Sequence, residues 1–181
     1  MKGMRLLVIG TRWPPETFIT RKLQGLAARG FDVTVATTSA GSEARVEGVQ
    51  LRRMPSWDAP APVRLARLAS LLPVAVRSRR YLTAAWGQGE SFGERLSWVN
   101  RLLPLAEMEA DIVHFEWNLA AVAYLPLFDL FRGPIVVSCR GAHVQIAPHN
   151  PERASSTSNI SLTFEKAAAV HSGSADMVVQ A

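Results

Sequence analysis

Arg5-Leu-Leu-Val-Ile9-Gly10, followed after one helix-length interval by Gly30-Phe-Asp-Val-Thr-Val-Ala-Thr-Thr38, is the stretch that decides the fold. The first run is continuously apolar and stops at a glycine, as a strand buried on both faces does. Arg12-Trp13-Pro14-Pro15 cannot extend it, because adjacent prolines remove backbone donors. From Thr17 to about Arg29 the apolar residues Phe18, Ile19, Leu23, Leu26 and Ala27 recur at helical spacing. Gly30 stands where a helix closes with a left-handed residue, and Arg29 suits the negative end of the dipole. Asp32 to Thr38 then reads as a second strand. Strand, turn, helix, glycine and strand make a right-handed βαβ unit.

The pattern continues outward from this unit. Residues 46–53 alternate apolar and polar and predict a more exposed strand, and residues 55–62 are a Pro/Ala connector. Residues 63 to about 82 read as helix, with Leu65, Leu68, Leu72 and Val76 on one face and Pro73 as a kink or break. A polar helix is expected over 90–108, a strand over 111–115, a strongly apolar helix over 118–131 and a strand over 134–139. A polar loop, residues 140–158, leads to a helix near 160–168, a strand near 169–172 and a further helix start capped by Ser174. Buried strands alternating with helices predict an α/β, Rossmann-like, doubly wound and mainly parallel sheet with helices on both faces. The 181 residues are read as a single domain.

Composition removes several classes. With 48% apolar and 19% charged residues, the chain lies outside the disordered class. A single cysteine, Cys139, excludes an internal disulfide and a thiolate zinc cluster. The apolar run at Leu6 to Ile9 is too short for a signal peptide, and residues 119–128 are about half of a membrane span. The expectation is a soluble cytoplasmic protein, with any membrane contact peripheral, at the inner face.

The formal charge is +5, from 20 Lys+Arg and 15 Asp+Glu. Residues 59–89 hold five arginines (Arg64, Arg67, Arg77, Arg79, Arg80) and no acid, so the remainder is balanced at 15 against 15. Such a local excess fits a localised anionic partner better than nucleic acid. The segment reads as a solvated helix face or as an amphipathic membrane or acceptor patch, in which Leu71, Leu72, Val74 and Val76 could insert. Nucleic acid ranks last, since no aromatic residues are interleaved for stacking.

Ligands of a doubly wound sheet bind beyond the carboxyl ends of its strands, and three such ends stand out here. Gly10-Thr11, with Glu16-Thr17 at a helix N-terminus, suits a phosphate or sugar hydroxyl, or is simply a tight turn with a dipole-balancing acid. His114-Phe115-Glu116-Trp117 could orient a polyhydroxyl ligand, or be a structural His beside a core Trp. Arg140-Gly141-Ala142-His143 could pair with a phosphate or carboxylate, or be an ordinary surface turn. Cys139 reads as a buried small hydrophobe rather than a nucleophile. No second His or Cys lies at metal-ligand spacing, so no metal is expected, and no G-x-G-x-x-G supports a nicotinamide oxidoreductase.

Met4-Arg-Leu-Leu-Val-Ile-Gly10, Pro15-Glu-Thr-Phe-Ile19 and Leu26-Ala-Ala-Arg-Gly-Phe-Asp-Val-Thr-Val35 together resemble the opening of family-four (group 1) glycosyltransferases. Asp111-Ile-Val-His114, Val136-Val-Ser-Cys-Arg-Gly141 and His171-Ser-Gly-Ser-Ala-Asp176 match later landmarks in order. The resemblance implies the GT-B fold, two Rossmann-like domains with a cleft between them. It implies transfer of a sugar from a nucleotide-sugar donor to a glycan or lipid-linked acceptor, with retention and usually without a metal. The chain resembles the N-terminal, acceptor-side domain alone, so the C-terminal domain with its paired glutamates is expected elsewhere and the isolated chain is expected to be inactive. By resemblance, Gly10-Thr11 face the donor phosphates and His114 and Glu116 line the cleft. Where relatives carry "His-Gly-x-Asp", this chain has Arg140-Gly141-Ala142-His143, so Arg replaces the sugar-contacting His and His143 the acid. The Pro-Glu-Thr-Phe-Ile variety is similar to enzymes of exopolysaccharide assembly. The alternative from another class is a stand-alone, non-catalytic module that binds a nucleotide or docks on a membrane.

Overall fold

Each continuous apolar run becomes an inner strand of one sheet. The computed structural model describes residues 3–39, 44–139 and 159–172. Its strands are β1 (Arg5–Ile9), β2 (Asp32–Thr37), β3 (Val49–Arg53), β4 (Ile112–Phe115), β5 (Ile135–Cys139) and β6 (Ala169–Ser172). They form one sheet, wholly parallel, in the order β3-β2-β1-β4-β5-β6. This is the Rossmann-like order, and the chain reverses its winding between β1 and β4.

Helices cover both faces. On one, Ile19 and Leu23 of α1 (Thr17–Ala28) and Trp13 pack on Leu6, Val8, Val33 and Val35. On the other, Leu7, Ile9, Val113, Phe115 and Val137 meet a helical layer inserted between β3 and β4. That layer comprises α2 (Ala61–Ser70), α3 (Leu72–Arg77), α4 (Arg79–Trp86), α5 (Phe92–Leu102) and a 3-10 turn (Leu103–Glu107). Leu23, Leu102, Leu103 and Phe115 are fully buried, and removing each such side chain from water stabilises the fold by about 1.5–3 kcal/mol.

The first βαβ unit closes as its glycine predicts. Gly30 has φ +90°, Phe31 N–H donates to the Leu26 carbonyl at 3.3 Å and Gly30 N–H to that of Ala27 at 2.9 Å. That is a Schellman closure, and Leu26 and Phe31 pack on the same core.

Elsewhere proline and glycine set finer boundaries than the periodicity did. The exposed strand begins at Val49 rather than 46, because Gly48 makes a turn at φ +71°. The helical stretch from 63 to 82 is divided into α2, α3 and α4. The helix expected over 90–108 stops at Leu102, where Pro104 allows only a 3-10 turn. Its start is a capping box: Ser91 Oγ accepts from Glu94 N–H at 3.2 Å and Glu94 Oε2 from Ser91 N–H at 3.1 Å. The apolar helix over 118–131 is two short ones, α6 (Asn118–Ala123) and α7 (Leu127–Leu130), because Pro126 clashes with a continuing ladder. Among the described residues the last helix and strand are α8 (Ile160–Lys166) and β6; the Ser174 cap lies outside them. Among the described residues, no helix is long and apolar enough to cross a membrane.

Candidate functional site

The winding reverses between β1 and β4, and polar groups gather beside that point, over the carboxyl ends of β1 and β2. A crevice of about 280 Å³ opens over the ends of β1 and β2. Gly10, Thr11 and Arg12 form one wall, Thr37, Thr38 and Ser39 the other, and Tyr124 closes it from beyond α6. Gly10 has φ +90°, and a Cβ there would stand 2.4 Å from the Ala120 Cβ. Only glycine lets the β1 turn pass this close to α6.

The walls are fixed by hydrogen bonds between them. Ser39 Oγ accepts from Trp13 N–H at 2.7 Å and lies 3.1 Å from Thr37 Oγ1. Trp13 Nε1–H donates to the Ala44 carbonyl at 2.8 Å. The Trp13–Pro14 bond is cis. Burial pushes the Tyr124 phenol above its ordinary pKa, with the Arg101 charge acting the other way, so it remains a hydroxyl donor at neutral pH. The crevice thus offers hydroxyls, main-chain groups and one guanidinium, a set suited to a polyhydroxyl or phosphorylated ligand.

Gly10 and Thr11 lie in the crevice as the strand-end argument expects. Glu16 stands just outside it as the N-cap of α1, with Arg12 Nη2 3.3 Å from its Oε1, and Thr17 is exposed in the first turn. His114 and Glu116 are buried on the α1 side of the sheet and do not line the crevice. Glu116 is completely buried and ion-paired with Lys22 of α1, while its N–H donates to the Ile9 carbonyl at 3.0 Å. The pair ties α1 to the end of β4 directly behind the β1 turn. His114 Nε2 lies 2.9 Å from Ser138 Oγ, which lies 3.3 Å from His171 Nδ1. These side chains link β4, β5 and β6 in one polar row. Trp117 is half-buried against the α1-side core. Arg140, Gly141 and His143 lie outside the described residues.

Sequence reasoning missed Lys22, Thr37, Thr38, Ser39 and Tyr124. The hydroxyl run Thr37-Thr38-Ser39 at a strand end was the available signal. Lys22 carried none, because nothing in a helix sequence names a partner on β4.

A larger groove of about 530 Å³ lies toward the opposite, amino ends of β1 and β2, beside Gln50 and Glu107. Its rim is tied by Arg5, whose Nη2–H donates to Asp111 Oδ1 at 2.7 Å and Nη1–H to Glu109 Oε2 at 2.5 Å. The Asp111 hydrogen bond, outweighing desolvation, raises the Arg5 pKa. The groove is larger than the crevice, but ligands of open parallel sheets sit beyond the carboxyl ends of the strands, which is where the crevice lies. Among the described residues, no cluster of three or more His, Cys, Asp or Glu could hold a metal ion.

No curated protein matches the chain. A family model described as "Glycosyl transferase 4-like domain" matches residues 15–181. The match takes in the Thr37 to Ser39 wall, Tyr124 and every helix of the fold, and begins beyond Gly10, Thr11 and Arg12. With its six-stranded Rossmann-like sheet, the chain belongs to the glycosyl transferase 4-like domain family.

Proposed function

We propose that this chain is the acceptor-side domain of a retaining glycosyltransferase, which moves a sugar from a nucleotide-sugar donor to a glycan or lipid-linked acceptor. The observation that carries the reading is a hydroxyl-lined crevice over the carboxyl ends of β1 and β2 in a glycosyl transferase 4-like domain. In this reading the Gly10-Thr11 turn approaches the donor phosphates with main-chain N–H groups, and Thr37, Thr38, Ser39 and Tyr124 meet sugar hydroxyls. Arg140, Gly141 and His143, outside the described residues, are assigned to the donor from the sequence alone, the Arg140 charge matching that of a diphosphate. That charge compensation makes a metal dispensable. His114 and Glu116 work from behind, as positioning groups that hold the ends of β4 and β1. A second domain supplies the nucleotide site, so the chain by itself does not catalyse transfer.

The test incubates the whole encoded protein with a panel of nucleoside-diphosphate sugars and candidate acceptors and weighs the products. The expected result is consumption of one donor with a product heavier by one sugar residue, unchanged by a chelator. The folded isolated chain should give none. Nucleotide binding without transfer by the whole protein would support a non-catalytic binding module instead.

A further inference from the structure

α2 and α3 run on almost as one helix. The residue between them, Leu71, keeps α-helical angles (φ −84°, ψ −6°), and Ala75 N–H donates to its carbonyl at 2.9 Å. At about 100° per residue, Leu65, Leu72 and Val76 fall within roughly 40° of one another around this rod. They are 66%, 63% and 68% exposed. Ala61, Pro62, Ala66, Ala69 and Pro73 are exposed as well, so the outward stripe is apolar for about 16 Å from Leu65 to Val76.

The arginines of α2 are turned aside. The Arg64 guanidinium lies 4.8 Å above the Trp57 ring, and Arg67 Nη1–H donates to the Ser56 carbonyl at 3.4 Å. Leu68, Leu71 and Val74 pack inward, so of the four residues expected to insert only Leu72 and Val76 face outward; Leu71 and Val74 belong to the core. Arg77, Arg79 and Arg80 are exposed and follow Val76 directly, at the carboxyl end of the stripe. Arg77 reaches Glu107 at 2.8 Å, and Arg79 makes no ion pair among the described residues. An ordinary surface helix turns its polar face outward, and this one does the reverse.

We propose that this stripe docks on an anionic lipid bilayer, with Leu65, Leu72 and Val76 entering the headgroup region and Arg77, Arg79 and Arg80 meeting lipid phosphates. Charge complementarity selects this occupant: Arg77, Arg79 and Arg80 follow the stripe directly, and residues 59–89 carry no acid. The surface is separate from the crevice, so the proposal stands or falls apart from the reaction.

The test is vesicle flotation of the full chain. One set of vesicles is pure phosphatidylcholine; the other is equal parts phosphatidylcholine and phosphatidylglycerol. The chain should float with the anionic set only, and added salt should release it. Arg77→Gln/Arg79→Gln/Arg80→Gln should weaken binding about a hundredfold and remove most of the salt dependence. Leu65→Ser/Leu72→Ser/Val76→Ser changes only exposed positions and should weaken binding at least about tenfold, with an unchanged circular dichroism spectrum. Absence of anionic-vesicle binding by the folded chain would overturn the proposal. So would unaltered binding by the Leu/Val variant, or a dimer that this variant dissociates, since a second copy would then cover the stripe.

Discussion

Gly10→Ala tests the geometry of the crevice floor. The added methyl meets two separate obstacles. The backbone at φ +90° disfavours an L side chain by about 1–2 kcal/mol. The Cβ also stands 2.4 Å from that of Ala120, in the first turn of α6. That is about 1 Å inside ordinary carbon–carbon contact, and an overpacked site of this kind costs about 1–3 kcal/mol. The sum is about 2–5 kcal/mol, which for a chain of this size lowers Tm by about 4–20 °C. The two terms separate in a double-mutant cycle measured by urea unfolding. Ala120→Gly alone places glycine in a helix and costs about 1 kcal/mol. In the double variant the contact is gone while the backbone strain remains. The Gly10→Ala/Ala120→Gly chain should therefore be less destabilised than the two single losses added, by about 1–3 kcal/mol. Strict additivity would show that Gly10 does not approach α6, and a neutral Gly10→Ala would refute the strained turn itself.

Glu116→Gln should destabilise the fold by about 3–5 kcal/mol in urea titrations, because the Lys22 ammonium loses a fully buried partner; Glu116→Leu/Lys22→Met should recover most of it. Ser91→Ala should cost about 1 kcal/mol and speed amide exchange chiefly in α5. Hydrogen bonds from the Ser91 and Glu90 N–H groups hold the Glu94 carboxyl below its ordinary pKa. Its capping contribution is therefore complete above the unfolded-state value and fades as pH falls through the lower folded one, so acid should accelerate α5 exchange in wild type more than in Glu94→Gln. Ser39→Ala removes the acceptor of the buried Trp13 N–H, so it should cost about 1–3 kcal/mol in urea unfolding and raise the donor KM several-fold; an unchanged KM in the folded variant would mean the donor does not use this wall.

The inner strands are legible in the sequence because burial on both faces leaves an unbroken apolar run, as in Arg5 to Ile9. Gly30 is equally legible, since a left-handed helix closure admits few other residues. The helical layer between β3 and β4 is not. Of the four residues expected on one face, Leu65, Leu72 and Val76 do face the same way, but Leu68 turns to the core, and periodicity cannot say whether a face meets the core or the solvent. Here Leu68, Leu71 and Val74 take the core, and the other stripe is left outside. Pro104 and Pro126 announce breaks, but the 3-10 turn at one and the second short helix at the other depend on packing against the sheet.

The candidate site divides in the same way. Gly10 and Thr11 follow from strand-end position. His114 and Glu116 also stand at a strand end, but the alternation of side chains along β4 turns both toward α1. There Glu116 meets Lys22, a pairing that only the packing of α1 on the sheet creates. The second wall, Thr37 to Ser39, escaped notice because hydroxyl residues closing a β-branched strand look like its natural end.

Hydrogen–deuterium exchange of the whole encoded protein, with and without a saturating nucleoside-diphosphate sugar, tests the crevice most directly. The account predicts slowed exchange in peptides covering residues 10–16 and 37–39. Unchanged exchange there while transfer proceeds, or protection confined to the groove beside Arg5, Gln50 and Glu107, would contradict it.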